Sequence, residues 1–194
     1  MVGMQEEMKF NNFAECLEES HKAEDLPFWE QVYKRAFPTM IAMLNHRKDG
    51  DHQRADIDRS IILENSKQLL IDEKIRGRNK ITRKVYNDIA LEYLSDKDKN
   101  TPGWVCKPLL ADYIAYAIAP LGKCYLLPVQ QLQLTWQNNN ELWRKQFPVI
   151  TAKNKYNGYY WETISCCVPV NVLFKAIGQC LRVSFEQFEY EMEV

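Results

Sequence analysis

The sequence predicts a mixed α/β (α+β) domain, a central mixed sheet flanked by helices. Three observations lead there. Two strand-like runs, Asp56–Leu63 and Gln68–Arg76, are separated by a turn of ordinary hairpin length, Glu64-Asn65-Ser66-Lys67. Apolar residues at helical spacing precede and follow that pair. At 194 residues with 46% hydrophobic side chains, the chain is long and apolar enough to bury one sizeable core.

Taken in order, residues 1–25 are acidic and polar and read as an N-terminal arm or short helix, and residues 26–194 as a single α/β domain. In Leu26–Phe37, Phe28, Trp29, Val32, Tyr33 and Ala36 follow helical spacing, and Pro38 ends the helix by pushing its predecessor out of the α region. A polar, partly basic stretch, Asn45–Arg54, leads to the two strands. Val85–Leu94 reads as a third strand completing a meander, and 95–103 as a loop by its turn residues and charge. Leu109–Ala119 places Leu110, Tyr113, Ile114, Ala117 and Ile118 on one helical face, closed by Pro120 and Gly122. A strand over Lys123–Leu127 stops at Pro128, and a helix over about 130–146 carries Leu132, Trp136, Leu142 and Trp143. A strand near Tyr159–Val168 and a helix near Val170–Cys180 complete a domain built around one sheet.

Composition narrows the function classes. The 25 Lys+Arg nearly balance the 26 Asp+Glu, which excludes compositional disorder and a global basic field, so a nucleic-acid surface must be local. The start, MVGMQEEMKFNNFAE, has no basic region followed by an apolar core, and no apolar run approaches the roughly 20 residues that cross a bilayer. A soluble cytoplasmic protein with no membrane partner is therefore expected. The six cysteines show no CxxC and no Cys/His ligand spacing, and Cys166-Cys167 in ISCCVPV reads as buried small hydrophobes. The sequence has no P-loop, GxGxxG or GxSxG, and its three histidines lie in polar stretches.

The informative chemistry lies on the strand pair. Alternation puts Asp72 and Lys74 on one face of their strand and Leu69, Ile71 and Ile75 on the other. Neighbouring strands lie about 4.8 Å apart, which lets Asp58 approach Asp72. Two carboxylates so close repel unless a cation sits between them, and a hard, oxygen-preferring ion such as Mg²⁺ suits them. A lysine alongside can orient a water or stabilise charge developing on a phosphate.

Asp58, a gap of 13 residues and then Asp72-Glu73-Lys74 resemble the signature of the PD-(D/E)XK nuclease superfamily. The resemblance covers roughly residues 26–128 and implies a restriction-endonuclease-like core. It further implies a metal-dependent DNA endonuclease using Mg²⁺ (or Mn²⁺), with Asp58 and Asp72 as metal ligands and Lys74 at the attacking water. The upstream helix in that family often adds a glutamate, and Glu30 occupies that place. Ile57 stands where the family often has Pro. Glu73 stands where the tripeptide usually has an apolar residue, so either Asp72 or Glu73 can be read as the metal ligand; sharing a face with Lys74 favours Asp72.

The segment KIRGRNKITRK, residues 74–84, has six Lys or Arg in 11 positions and no acid. It reads as a phosphate-gripping loop offering Arg76, Arg78, Lys80, Arg83 and Lys84 to DNA, extended by His46-Arg47-Lys48 and His52-Gln53-Arg54. Trp104, beside Pro102-Gly103, is the aromatic best placed for exposure and base stacking, while Tyr159-Tyr160-Trp161 reads mainly as core. A rival reading is a non-catalytic nucleic-acid- or protein-binding module on the same fold. Glu186, Glu189, Glu191 and Glu193 beside Phe185, Phe188 and Tyr190 would suit a protein partner, or a homodimer.

Overall fold

The computed structural model describes residues 10–46, 49–51, 55–178 and 180–192. After a two-residue strand, β1 (Asn11–Asn12), come helices α1 (Phe13–Glu24) and α2 (Phe28–Ala36). Strands β2 (Met40–Asn45), β3 (Arg59–Leu63) and β4 (Gln68–Arg76) follow, then short β5 (Arg78–Asn79), β6 (Asp88–Asp96) and β7 (Thr101–Pro102). The chain continues through β8 (Tyr113–Ile118), β9 (Lys123–Pro128), α3 (Val129–Gln146), β10 (Val149–Tyr156) and β11 (Tyr159–Pro169). It ends with α4 (Val170–Ile177), β12 (Leu181–Ser184) and β13 (Glu191–Met192).

The fold is mixed α/β, but with two principal sheets where one was expected. One has strand order β12-β9-β8-β4-β3-β2, the other β1-β10-β11-β6-β7. Both are mixed: β4 runs parallel to β8, and β1 parallel to β10, while their other pairings are antiparallel. Instead of extending a meander from β4, β6 pairs with β11 in the second sheet.

The expected helix over Leu109–Ala119 is also corrected, because Tyr113–Ile118 is the strand β8. It lies between β4 and β9 and is covered on both faces, so all but the first of its residues are buried. A short apolar run buried on both sides has no two-residue period, and its apolar positions also satisfy a helical template.

Two cores position the site. On one face of the six-stranded sheet, α2 lays Phe28, Trp29, Val32 and Tyr33 over Ile61, Leu69, Ile71, Ala115 and Leu126. Val32 and Ile71, both fully buried, each contribute about 1.5–3 kcal/mol of transfer free energy. On the other face, Ile114, Tyr116, Ile118 and Leu127 join Ile89, Leu91 and Val168 of the second sheet and Leu132, Trp136 and Leu173 of the helices. Cys166 is buried there, and Cys167 is buried beside Arg76, whose Nη2 donates to its sulfur at 3.8 Å. Among the described residues no helix is long and apolar enough to cross a membrane.

Candidate functional site

Nine-residue β4 carries the site because it is central. Pairing with β3 sets Arg59 opposite Ile71, and pairing with β8 sets Lys74 opposite Tyr116. Its odd-numbered residues Leu69, Ile71 and Ile75 pack toward α2. By alternation Asp72, Lys74 and Arg76 point the other way, toward the second sheet.

On that face Lys74 Nζ donates to Asp72 Oδ1 at 2.6 Å. The Asp72 side chain is 2% exposed and that of Lys74 33%. Asp72 Oδ2 is buried with no hydrogen-bond partner among the described residues. Asp58 lies just before β3, its N–H donating to the Ile71 carbonyl and its carbonyl accepting from the His46 N–H. Its carboxylate is pinned to β4, since Oδ2 accepts from the Glu73 N–H at 2.7 Å.

Burial pushes the Asp72 carboxyl up to about 7, against the pull of the Lys74 ammonium and with the added repulsion of Asp58. Burial alone would lower Lys74, but Asp72, Asp58 and Glu92 around it hold its ammonium above the usual lysine value. Lys74 lines a cleft of about 410 Å³ together with Glu92, Trp104, Tyr116, Glu19 and Tyr190. Asp72 is set back from that lining, behind the ammonium it binds.

Glu73 occupies the opposite side of β4. Arg59 grips it bidentately, Nε to Oε1 at 2.6 Å and Nη2 to Oε2 at 3.1 Å, and the Tyr33 hydroxyl donates to Oε1 at 2.6 Å. Both oxygens are thus bonded within a side chain only 2% exposed. Glu30 stays apart from Asp58, Asp72 and Lys74. It pairs with Lys34 on the solvent side of α2, on the far side of the sheet, with 53% of its side chain exposed.

The basic residues divide. Arg76 is buried and paired with Asp88 at 2.7 Å, so it is part of the joint between the sheets. Arg78 is bridged twice to Glu189 at 3.2 Å, and Arg83 pairs with Glu191 and Glu189. Lys80 stands 3.6 Å from Glu19, and Lys84 lies over the Tyr86 ring. Arg54 lies outside the described residues, as do Arg47, Lys48, His52 and Gln53. Trp104 is buried rather than exposed, packed in the core shared by the sheets, whereas Tyr159 and Tyr160 at the β10–β11 turn are exposed.

Glu92, in the run Val85–Leu94, faces the same cleft as Lys74. Burial raises its carboxyl, and Lys74 and Lys107 pull it back. The two-residue alternation of Asp88, Ala90 and Glu92 was a usable signal, since it sets two acids on one face of an apolar strand.

Among the described residues no group of three His, Cys, Asp or Glu side chains stands together as a metal cage. The donors present still fit a hard divalent ion that keeps much of its water. The Asp58 carboxylate is close enough to help raise that of Asp72, and Asp72 Oδ2 is a buried acceptor with no hydrogen bond among the described residues. No family model, curated protein or solved structure matches the chain.

The raised carboxyl carries a pH prediction. Folded Asp72 binds its proton more tightly than an unfolded aspartate, whose pKa is about 3.9. The cost of ionising it in the fold therefore appears as pH rises above about 4 and is complete above about 7. Asp72→Asn, which cannot ionise, should gain in Tm over the parent protein between pH 4 and 7.5 in EDTA. A pH-independent difference in melting would mean that Asp72 ionises as freely as in the unfolded chain.

Proposed function

We propose that the chain is a Mg²⁺- or Mn²⁺-dependent DNA endonuclease of PD-(D/E)XK type. The observation that carries the reading is the Asp72–Lys74 pair. A buried carboxylate with one oxygen unbonded, a second carboxylate beside it and an ammonium reaching an open cleft are the groups phosphodiester hydrolysis needs. Asp58 and Asp72 would hold the ion, whose contribution is to offset phosphate charge and lower the pKa of a bound water. Lys74 holds a water or a phosphate oxygen at Nζ, and its partial exposure lets substrate reach it. Glu73, with both oxygens taken by Arg59 and Tyr33, positions β4 and leaves metal binding to Asp72.

A second reading, a non-catalytic nucleic-acid- or protein-binding module, draws support from Asp72 being set back from the cleft. One experiment separates them. Supercoiled, linear, single-stranded and branched DNA, and RNA, are incubated with the protein and Mg²⁺ or Mn²⁺, and melting is followed in parallel. The nuclease reading expects metal-dependent cutting. It also expects stabilisation by about 2.7 kcal/mol at a hundred times Kd, roughly 5–10 °C in Tm. Neither cutting nor a metal-induced shift would leave the binding module.

A further inference from the structure

We propose that the acidic C-terminal strand β13 and the residues just before it are a built-in competitor for the nucleic-acid backbone, seated on the arginines that would otherwise grip it. The inference rests on the nucleic-acid reading of the basic segment and adds its regulation.

The seat is specific on both sides. β13 pairs in parallel with β5, setting Glu191 opposite Arg78, and the Arg78 N–H donates to the Tyr190 carbonyl at 2.6 Å. The Arg78 guanidinium forks onto both oxygens of Glu189. Arg83, held in the left-handed region at φ 59°, turns its guanidinium to Glu191 and Glu189, and its own carbonyl accepts from Arg78 Nη1. Glu189 and Glu191 both meet this pair of arginines, so the segment presents two anions in series, as a phosphodiester backbone does.

Gly77 completes the seat. A Cβ there would overlap the Tyr190 carbonyl and ring, so the missing side chain is what lets the segment lie against the basic finger, residues 74–84. Tyr190 also lines the cleft that holds Lys74, so a seated segment narrows access to the proposed reaction centre.

The segment can lift without unfolding the core. Its root is Phe185, buried and stacked on Phe28 at 4.4 Å, with Phe188 at 5.1 Å from the same ring. Beyond that root the acids are solvated: the side chains of Glu189 and Glu191 are 66% and 41% exposed, against 55% for Arg83 and 25% for Arg78. Such ion pairs are individually weak and screened by salt, and a polyanion can displace them.

The test uses the full chain and fluorescently labelled single- and double-stranded DNA, with Kd read by anisotropy over a salt series. Glu189→Gln/Glu191→Gln removes the competing charges, and Gly77→Ala unseats the segment sterically while leaving every charge in place. Both should bind at least tenfold more tightly than the parent. In the charge variant the slope of log Kd against log salt should also steepen by about one to two as two arginines become available. Arg78→Ala/Arg83→Ala should bind more weakly than the parent. If that arginine variant weakens binding while the other two stay within twofold of the parent, the finger takes DNA but the segment is no competitor. If the arginine variant binds as the parent does, the nucleic-acid reading of the finger fails and the competitor falls with it.

Discussion

Lys74→Met should lower metal-dependent DNA cutting by about 10²–10³-fold, the loss typical of removing one preorganised donor to developing charge. The geometry predicts a second consequence. Without the ammonium, Asp72 Oδ1 loses its 2.6 Å hydrogen bond and joins Oδ2 as a buried oxygen with no partner. A carboxyl already raised to about 7 by burial then rises further, and the metal must displace a proton more often at neutral pH. The variant should therefore need more Mg²⁺ for half-maximal rate as well as turning over more slowly. Asp72→Asn should separate function from stability. It should abolish cutting and yet melt higher than the parent in EDTA at pH 7.5, because it removes a charge whose burial the fold opposes. Rates on a labelled duplex across a Mg²⁺ titration, with melting measured on the same samples, check both variants. A Lys74→Met protein cutting at the parental rate would remove Lys74 from the mechanism.

Legibility in the sequence followed the range of the interactions involved. β4 was readable residue for residue as Gln68–Arg76, because one of its faces is packed by α2 and the other carries Asp72, Lys74 and Arg76, so its two-residue period survives. Helices α2 and α3 were readable for the matching reason, an apolar stripe against a polar back. β8 was not, since burial on both faces erases the period. The pairing of β6 with β11 was hidden because it joins Ile89 to Val168, 79 positions apart, and nothing local specifies a partner. At the site, alternation placed Asp72 with Lys74 and Glu73 on the opposite face. It could not reveal what Glu73 meets there, since Tyr33 lies 40 residues upstream. The basic run was equally plain as composition, but two of its three arginines, Arg78 and Arg83, are matched by acids more than 100 residues later. Charge counted along the chain therefore overstated the cationic surface.

Arg59→Met should be among the most destabilising single changes in the protein, by about 3–5 kcal/mol, and Glu73→Gln should approach it. The Glu73 carboxylate is held inside the α2-facing core by one guanidinium and one hydroxyl, with burial pushing its carboxyl up and Arg59 drawing it back down. Removing Arg59 leaves that carboxylate desolvated without its cation. Removing the Glu73 charge takes from a guanidinium only 6% exposed the carboxylate it grips through two nitrogens. Because each single change breaks the same contact, Arg59→Met/Glu73→Gln should lose less than the two losses added together, and a double-mutant cycle from chemical denaturation measures the shortfall. The same variants decide which acid of Asp72-Glu73-Lys74 holds metal. If Glu73 only braces β4, Glu73→Gln melts lower than the parent yet keeps its Mg²⁺-induced rise, whereas Asp72→Asn melts higher and loses it. If Glu73 were a ligand, its loss would cancel the metal-induced rise, and the buried Arg59 would then have to release one of the two oxygens it grips.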